Sequence, residues 1–311
     1  MARNPRHDVL FEPIQIGPKT LRNRFYQVPH CSGFGTEKPF TQARHRSIKA
    51  EGGWAGVCTE YAPISPDSDE SPYISARFWD EGDAAVLSLM CREVHEHGSL
   101  AGIELHHSGA HSDRRESRWP AIAPSQIASD MLVPAVMPEA PKAMEHEDIR
   151  RIQDDWVKAA VRARDAGFDI VYVYGGHSYL PMQFLSTFYN KRRDEYGGTF
   201  ENRARFWLET LGAVHEAVGR DCAIACRIAI DALGPAGITV AEGVEFIRLA
   251  DPLVDLWDVN VGSLADWAKD SGSSRFFKAG YQLEWSGQAR QATRKPIVGV
   301  GRLTNPDQMA E

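Results

Sequence analysis

Along the chain, short runs of consecutive apolar residues alternate with longer stretches in which apolar residues return every three or four positions. The runs are Arg24 to Val28, Ala55 to Thr59, Leu100 to Leu105, Asp169 to Tyr174, Ala223 to Ile228, Leu256 to Val261 and Pro296 to Val300. Apolar residues on successive positions suit parallel strands covered on both faces, because a half-exposed antiparallel strand would alternate strictly. In between, Leu87, Met90 and Val94 mark one helix face, Ile149, Ile152, Trp156 and Ala163 a second, and Trp207, Leu211, Val214 and Val218 a third. Gly98 and Gly167 each stand just before the next run and predict helix ends in left-handed conformation. Ahead of this rhythm, Ile14-Gln15-Ile16 and Leu21 around Gly17-Pro18-Lys19 predict a short hairpin.

Seven β-then-α units in a row imply a parallel sheet, and this many units most often close into a (β/α)8 barrel. An open doubly wound sheet would want a G-x-G-x-x-G turn after its first strand, and Pro29-His30-Cys31-Ser32-Gly33 lacks that spacing. Only the start of a seventh helix follows Val300, with Asn305 as N-cap and Pro306 at its first position. The expectation is therefore one domain over residues 1–311, an α/β TIM barrel truncated after the seventh strand and incomplete at its C-terminus.

The 311 residues are 43% hydrophobic and 25% charged, with 35 basic against 42 acidic side chains and a net charge of -7. Such a chain has room for a barrel, and disorder, collagen and coiled coil are excluded. No stretch approaches the roughly 20 apolar residues of a membrane span, and Met1 to Phe11 lacks the apolar core of a signal peptide. Cys31, Cys58, Cys91, Cys222 and Cys226 are odd in number and scattered, which reads as reduced thiols in a cytoplasmic protein. No pair has zinc or cluster spacing, and the acidic balance argues against nucleic acid.

In a barrel the residues just past each strand carry the chemistry. Here they are polar: Pro29-His30-Cys31, Glu60-Tyr61, Glu104 to His107, Tyr174 to Tyr179, Arg227, Asp266 to Asp270, and Gly301-Arg302. Gly175 to Glu201 is too long for a plain connector. Its Gln183-Phe184-Leu185-Ser186, Asn190-Lys191-Arg192, Asp194, Tyr196-Gly197-Gly198-Thr199 and Glu201 to Phe206 resemble the longest signature of the old yellow enzyme superfamily of FMN-dependent barrels. Within it, Val28 to Cys31, Lys49 to Trp54, Thr59 to Tyr61 and Tyr172 to Gly175 resemble the amine-dehydrogenase branch, which includes the trimethylamine, dimethylamine and histamine dehydrogenases.

That resemblance implies an FMN-dependent oxidation of a small tertiary or secondary amine by N-demethylation. It implies FMN bonded through C6 to the sulfur of Cys31, with Pro29, His30, Glu60, Glu104, Arg227, Gly301 and Arg302 as further cofactor residues. Arg227 would stabilise negative charge on the flavin pyrimidine edge, Glu104 would hydrogen-bond that edge, and Gly301 and Arg302 would form the phosphate end. Tyr61 and Trp267 would be walls of an aromatic bowl for a cationic amine. Tyr174, His177 and Asp270 would form the catalytic constellation that manages the amine proton.

The family further implies a homodimer, an electron-transfer flavoprotein as acceptor, and an iron-sulfur cluster and nucleotide-binding domains only in a longer chain. Tyr179 stands where ene-reductases of the superfamily keep a proton donor, so an NAD(P)H-dependent ene-reductase is the alternative. A non-catalytic barrel is a third reading. His106-His107 replace an aromatic pair of the amine branch, consistent with a larger or more polar amine; with His111 they make a poor metal site, because strand neighbours point to opposite faces.

Overall fold

A computed structural model describes residues 4–129, 140–234, 236–263 and 277–311. Seven parallel strands form one sheet: β1 (Tyr26–Gln27), β2 (Gly56–Pro63), β3 (Leu100–His106), β4 (Ile170–Tyr174), β5 (Ala223–Asp231), β6 (Leu256–Val261) and β7 (Ile297–Val298). Each pairs with its neighbour in sequence, and the sheet curls into a nearly closed barrel, as the alternating pattern predicts. The main helices on its outside are α1 (Pro39–Glu51), α2 (Glu81–His95), α3 (His146–Asp165), α4 (Leu180–Leu185), α5 (Phe200–Val218) and α6 (Val240–Ala250). The three apolar stripes read from sequence lie buried on α2, α3 and α5. Gly98 and Gly167 adopt φ of +67° and +99° after α2 and α3, the conformation a side chain resists.

The strands alternate in what they bury. Val171 and Val173, Ile224, Cys226 and Ile228, and Trp257 and Val259 pack outward against the helices. Ile170 and Tyr172, Ala223 and Ala225, and Leu256 fill the lumen near its lower end. One or two pleats higher, the same inward columns reach Tyr174, Arg227 and Asp258, and β3 contributes Glu104 and His106. The lumen thus runs from apolar at the strand starts to ionisable at the strand ends.

The predicted hairpin forms from Ile14–Ile16 and Lys19–Leu21, with a turn of two residues where the sequence suggested three. It plugs the lower end: Ile16 and Leu21 join the lumen cluster, and Lys19 Nζ bonds Asp169 at 2.9 Å just ahead of β4. Among the described residues no helix is long and apolar enough to cross a membrane.

Candidate active site

Arg227 sits at the centre of the upper lumen. Its Nη1 donates to Glu104 Oε1 at 3.2 Å and to the Pro29 carbonyl at 3.5 Å, and its Nε lies 3.8 Å from Asp258. The Tyr174 ring lies 5.5 Å from the guanidinium carbon, as expected from the register that pairs Tyr174 with Arg227 and Arg227 with Asp258. Burial pushes the Glu104 carboxyl up to about 7 despite its Arg227 partner, and it pushes Asp258 up as well. On the arginine the balance is reversed: its two carboxylates outweigh burial and hold its pKa higher still. The Nε makes no hydrogen bond among the described residues. A fixed buried cation with a donor left over fits the electron-rich edge of a flavin.

Tyr174 is tied to the next residues of its own loop, its hydroxyl hydrogen-bonded to Nδ1 of His177. Gly175 is required there, because a Cβ would lie 2.3 Å from the Trp207 indole of α5. His177 and Ser178 then both adopt left-handed backbone, φ +59° and +63°, turning the histidine back toward the lumen. Burial, with Arg227 and His106 nearby, holds the His177 imidazole well below its usual range, so it stays neutral.

Cys31 is exposed, in the loop after β1. The surrounding walls and the carboxyls Glu60, Glu104 and Glu70 nonetheless push its thiol up strongly. Glu60 holds that loop in place: it accepts from the backbone N–H of Ser32 at 2.8 Å and of Gly35 at 2.7 Å. It therefore positions Cys31 through the loop. His30 donates its backbone N–H to the Thr59 carbonyl, and its side chain is exposed. Arg302 Nη1 donates to the Phe277 carbonyl, and Gly301 at φ +106° accepts the Gly280 N–H at 2.8 Å. Among the described residues no hydrogen bond or ion pair joins these two to Arg227. Trp267 and Asp270 lie outside the described residues.

A second polar group gathers Tyr61, His106 and Tyr179, which the sequence singled out, around Glu70, which it did not. Tyr61 is packed edge-on against His106, 4.8 Å between ring centres, and His106 against Tyr179 at 4.4 Å. Behind them Glu70, buried, accepts from Ser108 Oγ at 2.7 Å and lies 3.3 Å from His106 Nε2; the Tyr61 and Tyr179 hydroxyls also bond it. Burial outweighs these donors and pushes Glu70 up to about 7. His107 points away to Asp67 at 3.1 Å, itself bonded by Arg151, so the adjacent histidines serve different networks.

The model of the NADH:flavin oxidoreductase / NADH oxidase family matches residues 9–311. Over its whole length the chain is 49% identical to dimethylamine dehydrogenase of Hyphomicrobium sp. (strain x), of which it covers 43%. It is 32% identical to an NADPH dehydrogenase of Clostridium acetobutylicum, across 97% of this chain and 86% of that one. Among solved structures it is similar to 6-hydroxypseudooxynicotine amine oxidase from Pseudomonas geniculata N1 (TM-score 0.94, 41% identity, 99% of this chain and 46% of that one). It is similar also to histamine dehydrogenase from Rhizobium sp. 4-9 (TM-score 0.92, 39% identity, 98% of this chain and 44% of that one). The chain spans less than half the length of these three amine-enzyme relatives. By the family match and the fold together, the chain belongs to the NADH:flavin oxidoreductase / NADH oxidase family.

Proposed function

We propose that this chain is the FMN-binding, amine-oxidising barrel of a flavin dehydrogenase acting on a small secondary or tertiary amine by oxidative N-demethylation. The observation that carries the reading is the Tyr174–His177 pair, a neutral imidazole bonded to a phenol beside the Arg227 guanidinium. Bound FMN would supply the two-electron acceptor for the carbon next to nitrogen. The residues of the chain do the rest. The faces of Tyr61 and Tyr174 hold the ammonium form by cation–π attraction. Neutral His177, oriented by Tyr174, stands as hydrogen-bond acceptor for the amine N–H, and loss of that proton exposes the nitrogen lone pair. Arg227, held by Glu104, stabilises negative charge at the acceptor. The oxidised amine then hydrolyses to formaldehyde and the demethylated amine.

Pro29, Glu104 and Arg227 would line the flavin, with His30, Gly301 and Arg302 as further contacts and Cys31 as the thiol for a covalent C6 link. Trp267 as a second bowl wall and Asp270 as the carboxylate partner of His177 belong to the same reading. So do a homodimer, a cytoplasmic setting, electron delivery to an electron-transfer flavoprotein, and an iron-sulfur cluster in a longer chain.

Anaerobic bleaching of the FMN-loaded protein by trimethylamine, dimethylamine or histamine tests the activity, and bleaching by NADPH alone would sink it. Acid precipitation tests the link: yellow colour that stays with the pellet supports the Cys31 bond, and colour released to the supernatant rejects it. The second reading, an NAD(P)H-dependent ene-reductase, draws on the likeness to NADPH dehydrogenase. The capture of the Tyr179 hydroxyl by Glu70 counts against it, because a phenol whose pKa is raised beside a carboxylate is a poor proton donor.

A further inference from the structure

We propose that Glu70 is a specificity-determining positioning residue of this pocket: by binding the hydroxyls of Tyr61 and Tyr179 and Nε2 of His106, it turns three rings toward the substrate and puts a titrating negative charge behind them. This rests on the amine reading above. The geometry is that of a hub. Tyr61 comes from β2, His106 from β3, Ser108 from the loop after β3, and Tyr179 from the loop after β4, and each bonds or pairs with the same carboxyl. Among the described residues His106 is the only basic side chain within ion-pairing distance of Glu70. Burial holds that imidazole well below its usual range, so it is a neutral donor and supplies no counter-charge. Other ionisable groups around it include the acids Asp113, in the loop after β3, and Cys31, after β1, and Arg77 across the outer cavity, which is paired with Asp83.

A buried carboxylate with hydrogen bonds and no cation is costly when ionised, and a bound ammonium removes that cost. On its outer side Glu70 borders a cavity of about 450 Å3 whose wall includes Asp69, Arg77 and Glu116, which opens a route for its proton. The pocket therefore favours a cation more strongly once Glu70 is ionised, and that preference weakens toward what the ring faces alone supply when Glu70 is protonated.

The test is the affinity of the FMN-loaded full chain for tetramethylammonium, a cation that cannot be oxidised at nitrogen, followed through flavin absorbance against pH. Linkage requires the wild-type protein to bind more tightly as pH rises through the Glu70 titration, by about tenfold between about pH 6 and pH 8.5. Glu70→Gln should cut that rise at least about threefold, leaving only what the Glu104 titration in the same lumen contributes, and Glu70→Asp should keep it. Ser108→Ala, a gentler change, removes a donor that lowers the Glu70 pKa and should move the midpoint upward. A rise that survives Glu70→Gln unchanged, or a Ser108→Ala midpoint that does not move, overturns the inference. If tetramethylammonium behaves as described but no amine bleaches the flavin, the amine reading fails and the role of Glu70 stands. If amines bleach it and the profile ignores Glu70, the reverse holds.

Discussion

Two arginines are buried to nearly the same depth, Arg203 at 5% and Arg227 at 8% exposure, and they are completed differently. Arg203, on α5 within the family signature, uses all three nitrogens: Nε to the Gly198 carbonyl, Nη1 to the Leu185 carbonyl and Nη2 to Glu242 at 2.6 Å. Arg227 faces two carboxylates and yet leaves Nε without a hydrogen bond among the described residues. The same contrast separates the regions around them. Across the long loop after β4, Gln183 ties the Ala110 N–H to the Ser108 and Ser178 carbonyls, and Asn190 ties Phe184 to Tyr196. In the upper lumen, Glu104, Asp258 and Glu70 carry raised pKa values and His106 and His177 lowered ones. A satisfied polar network is architecture; an unsatisfied one, with charges shifted by burial, is where a ligand completes the structure.

The contrast breaks most readily at its two arginines. Arg227→Met should slow amine reduction of the flavin about a thousandfold, about 4 kcal/mol, in anaerobic stopped-flow measurements. Arg203→Met should leave the rate per folded molecule within about twofold while lowering unfolding stability by about 3 kcal/mol in urea titrations. An exchange of those two phenotypes would show that the division between scaffold and site is wrong.

A pH experiment sharpens the electrostatic half. Burial raises the folded-state Glu104 pKa to about 7, above its unfolded value near 4.3. The folded chain therefore keeps a proton that the unfolded chain releases, and this group favours folding less and less as pH rises between those two values. Relative to wild type, Glu104→Gln should gain about 2 kcal/mol of stability on going from about pH 5 to pH 8, measured by urea unfolding at both. Equal differences at the two values would mean that Glu104 is already ionised in the weakly acidic range.

Packing at the edge of the site gives a smaller effect. Gly175→Ala drives a Cβ to 2.3 Å from Trp207, and should cost about 2 kcal/mol and recover partly with Trp207→Phe. Smallest is Thr239→Ala, which removes the capping box that Thr239 shares with Glu242 at the start of α6 and should cost about 1 kcal/mol in thermal or urea unfolding.

The barrel was legible because its strands are buried on both faces, and that produces runs dense enough to read directly. Boundaries were less so. The expected Arg24 to Val28 and Pro296 to Val300 shrink to Tyr26–Gln27 and Ile297–Val298, since each pairs on one side only and proline stands at or just beyond one end. β5 runs on to Asp231 and β2 to Pro63, because their neighbours continue to offer partners. At the site, position at a strand end picked out Glu104, Arg227, Tyr174 and His177. Glu70 escaped because its meaning lies in contacts formed 38 residues away with Ser108 and further still with Tyr179. Asp258 did leave a signal, an acidic residue inside the apolar run Leu256 to Val261, that strand-end reasoning passed over. Glu60 sits where the pattern placed it, but its carboxylate is spent on the backbone of the Cys31 loop.

The consecutive left-handed residues His177 and Ser178 matter most to anyone reshaping the pocket for a new substrate. Valine, isoleucine and threonine are the side chains least compatible with that backbone, so a saturation library at those two codons is filtered by conformation before chemistry is ever sampled. Glycine and asparagine are the replacements whose backbone fits the loop, although glycine at 177 gives up the bond to Tyr174. Tyr61 and Tyr179 escape that filter, because neither adopts left-handed backbone.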